Sequence, residues 1–127
     1  MKLTTLYRPV GQTELDLIAA SGFKKFPPRL EWQPIFYPVL NQAYAEQIAF
    51  EWNTQDEFSG YVGYVTAFDL YDSFLQQYPI QNAGGEIHNE LWVPAEELDT
   101  FNNNIIGDIR IVKTFIGEQN KKNGTKN

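Results

Sequence analysis

The stretch YVGYVTAFDL, residues 61–70, is a long β-like run. Val62, Tyr64, Thr66 and Phe68 alternate there against Val65 and Ala67, the period a strand requires. A strand of that length carries a row of backbone N–H and C=O groups that neighbouring strands must satisfy. A sheet is therefore the organising element, and the remaining apolar runs have to supply its partners.

Four further segments qualify. LTTLYRP (3–9) is β-prone and ends at a proline, with Leu6 and Arg8 on one face and Tyr7 on the other. IFYPVL (35–40) is an apolar strand whose pairing Pro38 limits. HNELWV (88–93) and IIGDIRIVKTFI (105–116) complete the set, the last alternating Ile109 and Ile111 against Arg110 and Val112. IQNAGG (80–85) reads as a short strand or a loop.

Helical patterns separate these runs. Thr13 is the expected N-cap of a short helix that buries Leu15, Ile18 and Ala19 and stops at Gly22. Asn41 caps the clearest helix, QAYAEQIAFEWN, whose apolar face is Tyr44, Ala45, Ile48, Ala49 and Trp52. YDSFLQQYP gives one helical turn or two, and PAEELDTF starts a helix with proline in its first position. The order β-α-β-α-β-α-β-α-β with short strands and turn-rich loops predicts an α+β domain. It spans 1–116, and the polar segment GEQNKKNGTKN (117–127) reads as a disordered, dispensable tail.

Composition narrows the function. The 127 residues suit one domain, and a net charge of −6 leaves no basic stripe for extended nucleic acid. Lys24, Lys25 and Arg29 form the only early basic cluster, enough for one or two phosphates. Without cysteine there is no disulfide, thiol nucleophile or thiolate metal site. A single histidine and scattered acids give no metal-ligand spacing, so no metal is expected. No apolar stretch approaches a membrane span or a signal-peptide core, which predicts a cytoplasmic protein. None of Ser21, Ser59 and Ser73 sits in a nucleophile elbow, which leaves no serine hydrolase signature.

One residue is out of place. In HNELWV, positions 88, 90 and 92 share a face, so Glu90 stands beside Trp92. A carboxylate against an indole is partly desolvated, at a cost unless it is paired or functional. A sheet-edge glutamate bonded to a lysine or tyrosine is the structural alternative.

Three spaced segments resemble the ADP-ribosyltransferase-like fold, the small split-sheet domain of bacterial toxins, poly(ADP-ribose) polymerases and RNA 2′-phosphotransferases. LYR at 6–8 resembles the first motif, an arginine or histidine at the end of the opening strand. IFYPVLNQAYAEQIA at 35–49 resembles the second, an apolar aromatic strand followed by a helix with a buried alanine. NELWVPAEEL at 89–98, followed by IIGDIRIVKTF, resembles the third, a strand-borne glutamate before a final strand. The chain is also similar to short bacterial proteins labelled "ADP-ribosylation/crystallin J1"; of that label, the transferase half suits a strand-rich sequence.

The resemblance implies split mixed or antiparallel sheets with short helices, and NAD as the substrate. Arg8, with Arg29 nearby, would hold the NAD phosphates, and Tyr37 or Phe36 would stack on the nicotinamide. Alignment through Ala45 selects Phe36 and hydroxyl chemistry selects Tyr37; strand alternation lets only one face the cleft. Glu90 would be the catalytic acid group that binds the nicotinamide-ribose 2′-hydroxyl. His88 stands where arginine-modifying members carry a second acid, which disfavours arginine as acceptor and leaves His88 as a base near it. Pro9 stands where a glycine often follows the first motif. The implied activity cleaves the nicotinamide–ribose bond and passes ADP-ribose to a protein, a small molecule or water. The alternatives are a non-catalytic ADP-ribose- or protein-binding module and a 2′-phosphotransferase-like enzyme acting on RNA.

Overall fold

The computed structural model describes residues 2–120. It is an α+β domain built on antiparallel strands and short helices. The run 61–70 forms its central strand, β3 (Val62–Tyr71), which pairs with β1 (Leu3–Val10) on one side and β7 (Ile106–Ile116) on the other. Val62, Val65, Thr66, Ala67, Phe68 and Leu70 are all buried. Apolar layers therefore cover this strand on both faces, which its near-continuous apolar character allows.

On one face lies α2 (Gln42–Glu51), capped by Asn41, whose side chain accepts from the Ala43 N–H. Its contact residues are small: Ala45 and Ala49 are fully buried with Val39 and Val65. The helix comes so close that a Cβ on Gly63 would lie 2.7 Å from the Ala49 carbonyl oxygen. On the other face an aromatic core gathers Phe26, Phe36, Phe68 and Phe101 with Leu6, Ile18 and Leu98. Here sit α1 (Gln12–Ala20), the one-turn α3 (Asp72–Leu75) and α4 (Leu98–Asn103).

Two segments far apart in the chain build the rest of the sheet. Residues 34–40 run antiparallel to 89–95 as a ribbon. Ile35 and Phe36 (β2, Ile35–Phe36) pair with Pro94 and Val93 (β6, Val93–Pro94), and Val39 pairs with Glu90. Leu91 N–H donates to Pro38 O and Leu40 N–H to Asn89 O in the same register. The upper part, β5 (Asn89–Leu91), also pairs with β4 (Ile80–Asn82). The ribbon joins β1 only through Tyr7 and Val39, which exchange both backbone hydrogen bonds. Among the described residues β2 and β6 pair with nothing else, so the sheet splits beside the end of β1.

Several local expectations need correction. The N-cap of α1 is Gly11 rather than Thr13, and Ala19 is exposed, because a nine-residue helix lying on a sheet buries only Leu15 and Ile18. HNELWV is two strands rather than one, interrupted at Trp92. On β7, Ile109 is buried but Ile111 is exposed; register shifts between Val65 and Thr66 and between Ala67 and Asp69 break the alternation along that edge. Trp52, expected on the buried face of α2, is 59 % exposed because the helix ends at Glu51 and Trp52 is its C-cap, off the helical face that Ala45 and Ala49 bury.

The domain boundary at 116 also moves. Gly117 is buried and its N–H donates to Tyr61 O, while Asn120 Nδ2 donates to Gly60 O. Residues 117–120 therefore pack on the domain instead of starting a tail, and 121–127 lie outside the described residues. A chain ending at Ile116 is expected to be roughly 1–3 kcal/mol less stable than one ending at Asn120, since it lacks both hydrogen bonds and the cover over Tyr61. Equal urea midpoints for the two chains would show that these contacts contribute nothing.

Candidate functional site

The split in the sheet leaves a cleft of about 560 Å3. Strand alternation decides what faces it. Tyr37, Val39, Glu90 and Trp92 all line the cleft, whereas Phe36, Leu91 and Val93 point into the core. Tyr37 and Trp92 oppose each other across the ribbon with ring centroids 6.4 Å apart, edge to face. This answers the placement of the two aromatic candidates: Tyr37 is 40 % exposed on the cleft wall and Phe36 is 1 % exposed beneath it.

Glu90 is held by neighbours from two directions. Its Oε2 accepts from the Tyr44 hydroxyl at 3.0 Å and its Oε1 from Trp92 Nε1 at 2.9 Å. The carboxylate is thereby fixed, and each oxygen keeps a lone pair for a further donor. Burial, then donation to Glu90 and the charge of that carboxylate, push the Tyr44 phenol above its ordinary value, which keeps the hydroxyl a donor.

Arg8 enters the cleft from the end of β1. Its guanidinium lies 4.8 Å above the Phe36 ring and forms a two-pronged bond with Glu14, Nε to Oε2 at 2.7 Å and Nη2 to Oε1 at 3.0 Å. With its side chain only 11 % exposed, the charge needs that partner. Three N–H donors of the fork remain for another acceptor. Arg29, from the loop before β2, donates Nε–H to Ile35 O at 3.0 Å and also lines the cleft. Burial and then the Arg8 guanidinium hold its pKa below the ordinary value, with Glu14 and Tyr37 pulling the other way. Crowded cations of this kind are relieved by an anion.

The other basic candidates do not join them. Lys24 is paired with Asp108, and neither it nor Lys25 lines the cleft. His88 is also outside the lining: its Nε2 lies 2.9 Å from Gln47 Oε1 and its ring packs on Tyr44 at 4.7 Å. It therefore reaches Glu90 only through Tyr44, and the expected role as a base beside the acceptor has no geometric support.

The cleft also contains residues that sequence reasoning assigned elsewhere or passed over: Glu14, Gln33, Trp52 and Asn53. The spacing on α2 places Ile48 and Trp52 on an apolar core face, yet both line the cleft, whereas Tyr44 packs partly buried against Val39, Ala45, Ala49 and Val65. Periodicity marks the side of a helix and cannot tell a core from a cleft wall. No signal in the sequence identified Glu14 as the partner of Arg8.

No helix among the described residues is long and apolar enough to cross a membrane, and no cluster of three His, Cys, Asp or Glu could hold a metal ion. No family model, curated protein or solved structure matches this chain. What the fold and cleft define is a small α+β domain with a split antiparallel sheet and an aromatic, arginine- and glutamate-lined groove at the split.

Proposed function

We propose that this cleft binds NAD and cleaves its nicotinamide–ribose bond, as an ADP-ribosyltransferase-like domain does. The observation that carries the reading is the meeting of Arg8, Tyr37 and Glu90 from three separate segments on one cleft. The Arg8 and Arg29 forks suit the diphosphate oxygens. Tyr37 and Trp92 offer flat faces to a heterocycle. Glu90 accepts the nicotinamide-ribose 2′-hydroxyl and stabilises the positive charge that develops on the sugar.

The step balances without a redox partner. The C1′–N bond breaks and its electron pair neutralises the pyridinium nitrogen, so nicotinamide leaves uncharged. The lone pair of an acceptor oxygen or nitrogen forms the new bond to C1′, and the acceptor's proton goes to water. Tyr44 and Trp92 are positioning residues that fix the Glu90 carboxylate. The acceptor class is a protein, a small molecule or water. An RNA 2′-phosphotransferase reading is weakened by the pairing of Lys24 with Asp108, away from the cleft. A binding module that holds ADP-ribose without turnover uses the same arginines but needs no fixed Glu90.

The test is nicotinamide release from NAD by the purified protein, with and without cell lysate; NAD bound but never cleaved favours the binding module. Arg8→Lys supplies a second check. An ammonium cannot span both Glu14 oxygens or lie flat on Phe36. ADP-ribose is expected to bind the variant about tenfold more weakly, the size of one lost charge-assisted hydrogen bond. Unchanged affinity by calorimetry would remove Arg8 from the diphosphate site.

A further inference from the structure

The strand β7 is the outer edge of its sheet, on the side away from the split. It pairs with β3 and, among the described residues, with no other strand. The alternation of an antiparallel ladder decides which of its backbone groups are free. Tyr7 exchanges its N–H and C=O with Val39, so Leu6 and Arg8 are the β1 residues that bond to β3. Their partners Phe68 and Thr66 turn toward β1, and Gly63 and Val65 turn toward β7, where they meet Phe115 and Lys113. Thr114 and Ile116 therefore direct their N–H and C=O groups outward, and no backbone partner among the described residues meets them. The two ends of this edge differ. Near its start the edge is closed, since Ile109 N–H donates to Phe23 O and Asp108 holds Lys24. Near its end it is open, and Ile111, Val112, Thr114 and Ile116 are all β-branched and exposed. The one charge there, Lys113, lies over the Phe115 ring at 5.7 Å. An open, apolar edge of this kind is a template for another strand.

We propose that this edge pairs antiparallel with the same edge of a second copy of the chain, about a two-fold axis at Thr114, and so joins two sheets into one. The side chains set the register. Thr114 meets Thr114 of the second copy and exchanges both backbone hydrogen bonds with it. Val112 then faces Ile116 of the second copy, and Lys113 faces Phe115 of the second copy. Cross-strand pairs of β-branched residues and a cation beside an aromatic ring are both favourable. An axis at Lys113 would set two lysines opposite each other, and an axis at Phe115 would shorten the paired stretch. Phe50, exposed on α2 and 5.7 Å from the Phe115 ring, adds apolar surface beside that pair. Both copies use the same patch, so the contact closes at a dimer. The cleft lies on the opposite side of the sheet, beyond β1, and stays open in it.

Sedimentation equilibrium of the full chain is the test. The contact is small, so a dissociation constant between about 1 µM and 1 mM is expected. Thr114→Pro removes an outward N–H that serves no bond to β3, and an edge strand tolerates proline in that position. It should therefore leave the melting temperature of the dilute protein nearly unchanged and weaken association at least about tenfold, the size of the lost hydrogen bonds. Ile116→Lys, a charge at an exposed position brought near Lys113 of the second copy, should weaken it as much and keeps the test valid if the proline variant does not fold. The chain has no cysteine, so cross-links read the register directly. Thr114→Cys is expected to oxidise to a disulfide-linked dimer, because Cα atoms of a hydrogen-bonded pair stand about 5.5 Å apart, within disulfide reach. Lys113→Cys is offset from its counterpart by two residues, beyond that reach, and should stay unlinked. A wild type that is monomeric at about 1 mM overturns the proposal. A dimer that survives both Thr114→Pro and Ile116→Lys also overturns it, because the contact would then lie on another surface. Faster cross-linking of Lys113→Cys than of Thr114→Cys does the same, since the axis would not pass at Thr114.

Discussion

Glu90→Gln is expected to lower nicotinamide release from NAD at least ~100-fold while the protein stays folded and still binds NAD. The factor follows from what removing one preorganised electrostatic group costs at a transition state. Binding survives because the lost interaction is made mainly with the charge that develops during bond cleavage. The fold survives because glutamine has the same length and its oxygen can still accept from Tyr44 or from Trp92 Nε1. Its Nε2–H can donate to the Tyr44 hydroxyl, which also accepts, so both contacts persist as neutral hydrogen bonds in place of charge-assisted ones, and a destabilisation of about 1 kcal/mol should accompany the change. Single-turnover assays with a calorimetric NAD titration separate the two effects. A variant with wild-type turnover would exclude Glu90 as the catalytic group, and one that is equally inactive but no longer binds NAD would make it a binding residue.

Phe101→Ala should produce the largest loss of stability of any single truncation considered. Phe101 is completely buried, and its ring meets Phe36 at 5.5 Å, Phe74 at 6.1 Å, Phe68 at 6.2 Å and Tyr78 at 6.4 Å. Deleting it opens a cavity that these rings, fixed to separate elements, can only partly close. The expected cost is roughly 3–5 kcal/mol, a large part of the ~5–15 kcal/mol by which a domain of this kind is stable. Phe36 carries the Arg8 guanidinium on its ring, so the cleft should loosen as well. Urea unfolding gives the number, and Phe101→Leu, which fills most of the space, should recover more than half of it. A cost below about 1 kcal/mol for the alanine variant would mean that the core collapses onto the gap.

The sequence by itself determined the local periods and the punctuation between them. The alternation in 61–70 required a strand, and apolar character at nearly every position of it permitted burial on both faces. Asn41 with Ala45 and Ala49 marked a helix and the side it buries. Strand parity put Glu90 and Trp92 on one face, and meant that Phe36 and Tyr37 cannot both turn to the same side. These are consequences of bond geometry acting between near neighbours, which is why they are legible without a partner.

Only the tertiary structure decided which neighbours those faces meet. Residues 34–40 and 89–95 are separated by about half the chain, and only their pairing set Tyr37 against Trp92 and Val39 against Glu90. The bidentate hold of Glu14 on Arg8, the displacement of His88 behind Tyr44 and the exposure of Trp52 depend on where elements stop and how they pack. The hydrogen bonds from Asn53 through Ser59 to Asp56 depend on Gly11 letting the turn after α2 press against β1. Periodicity names a side chain's face, but whether that face meets a core, a cleft or solvent is fixed by contacts distant in sequence.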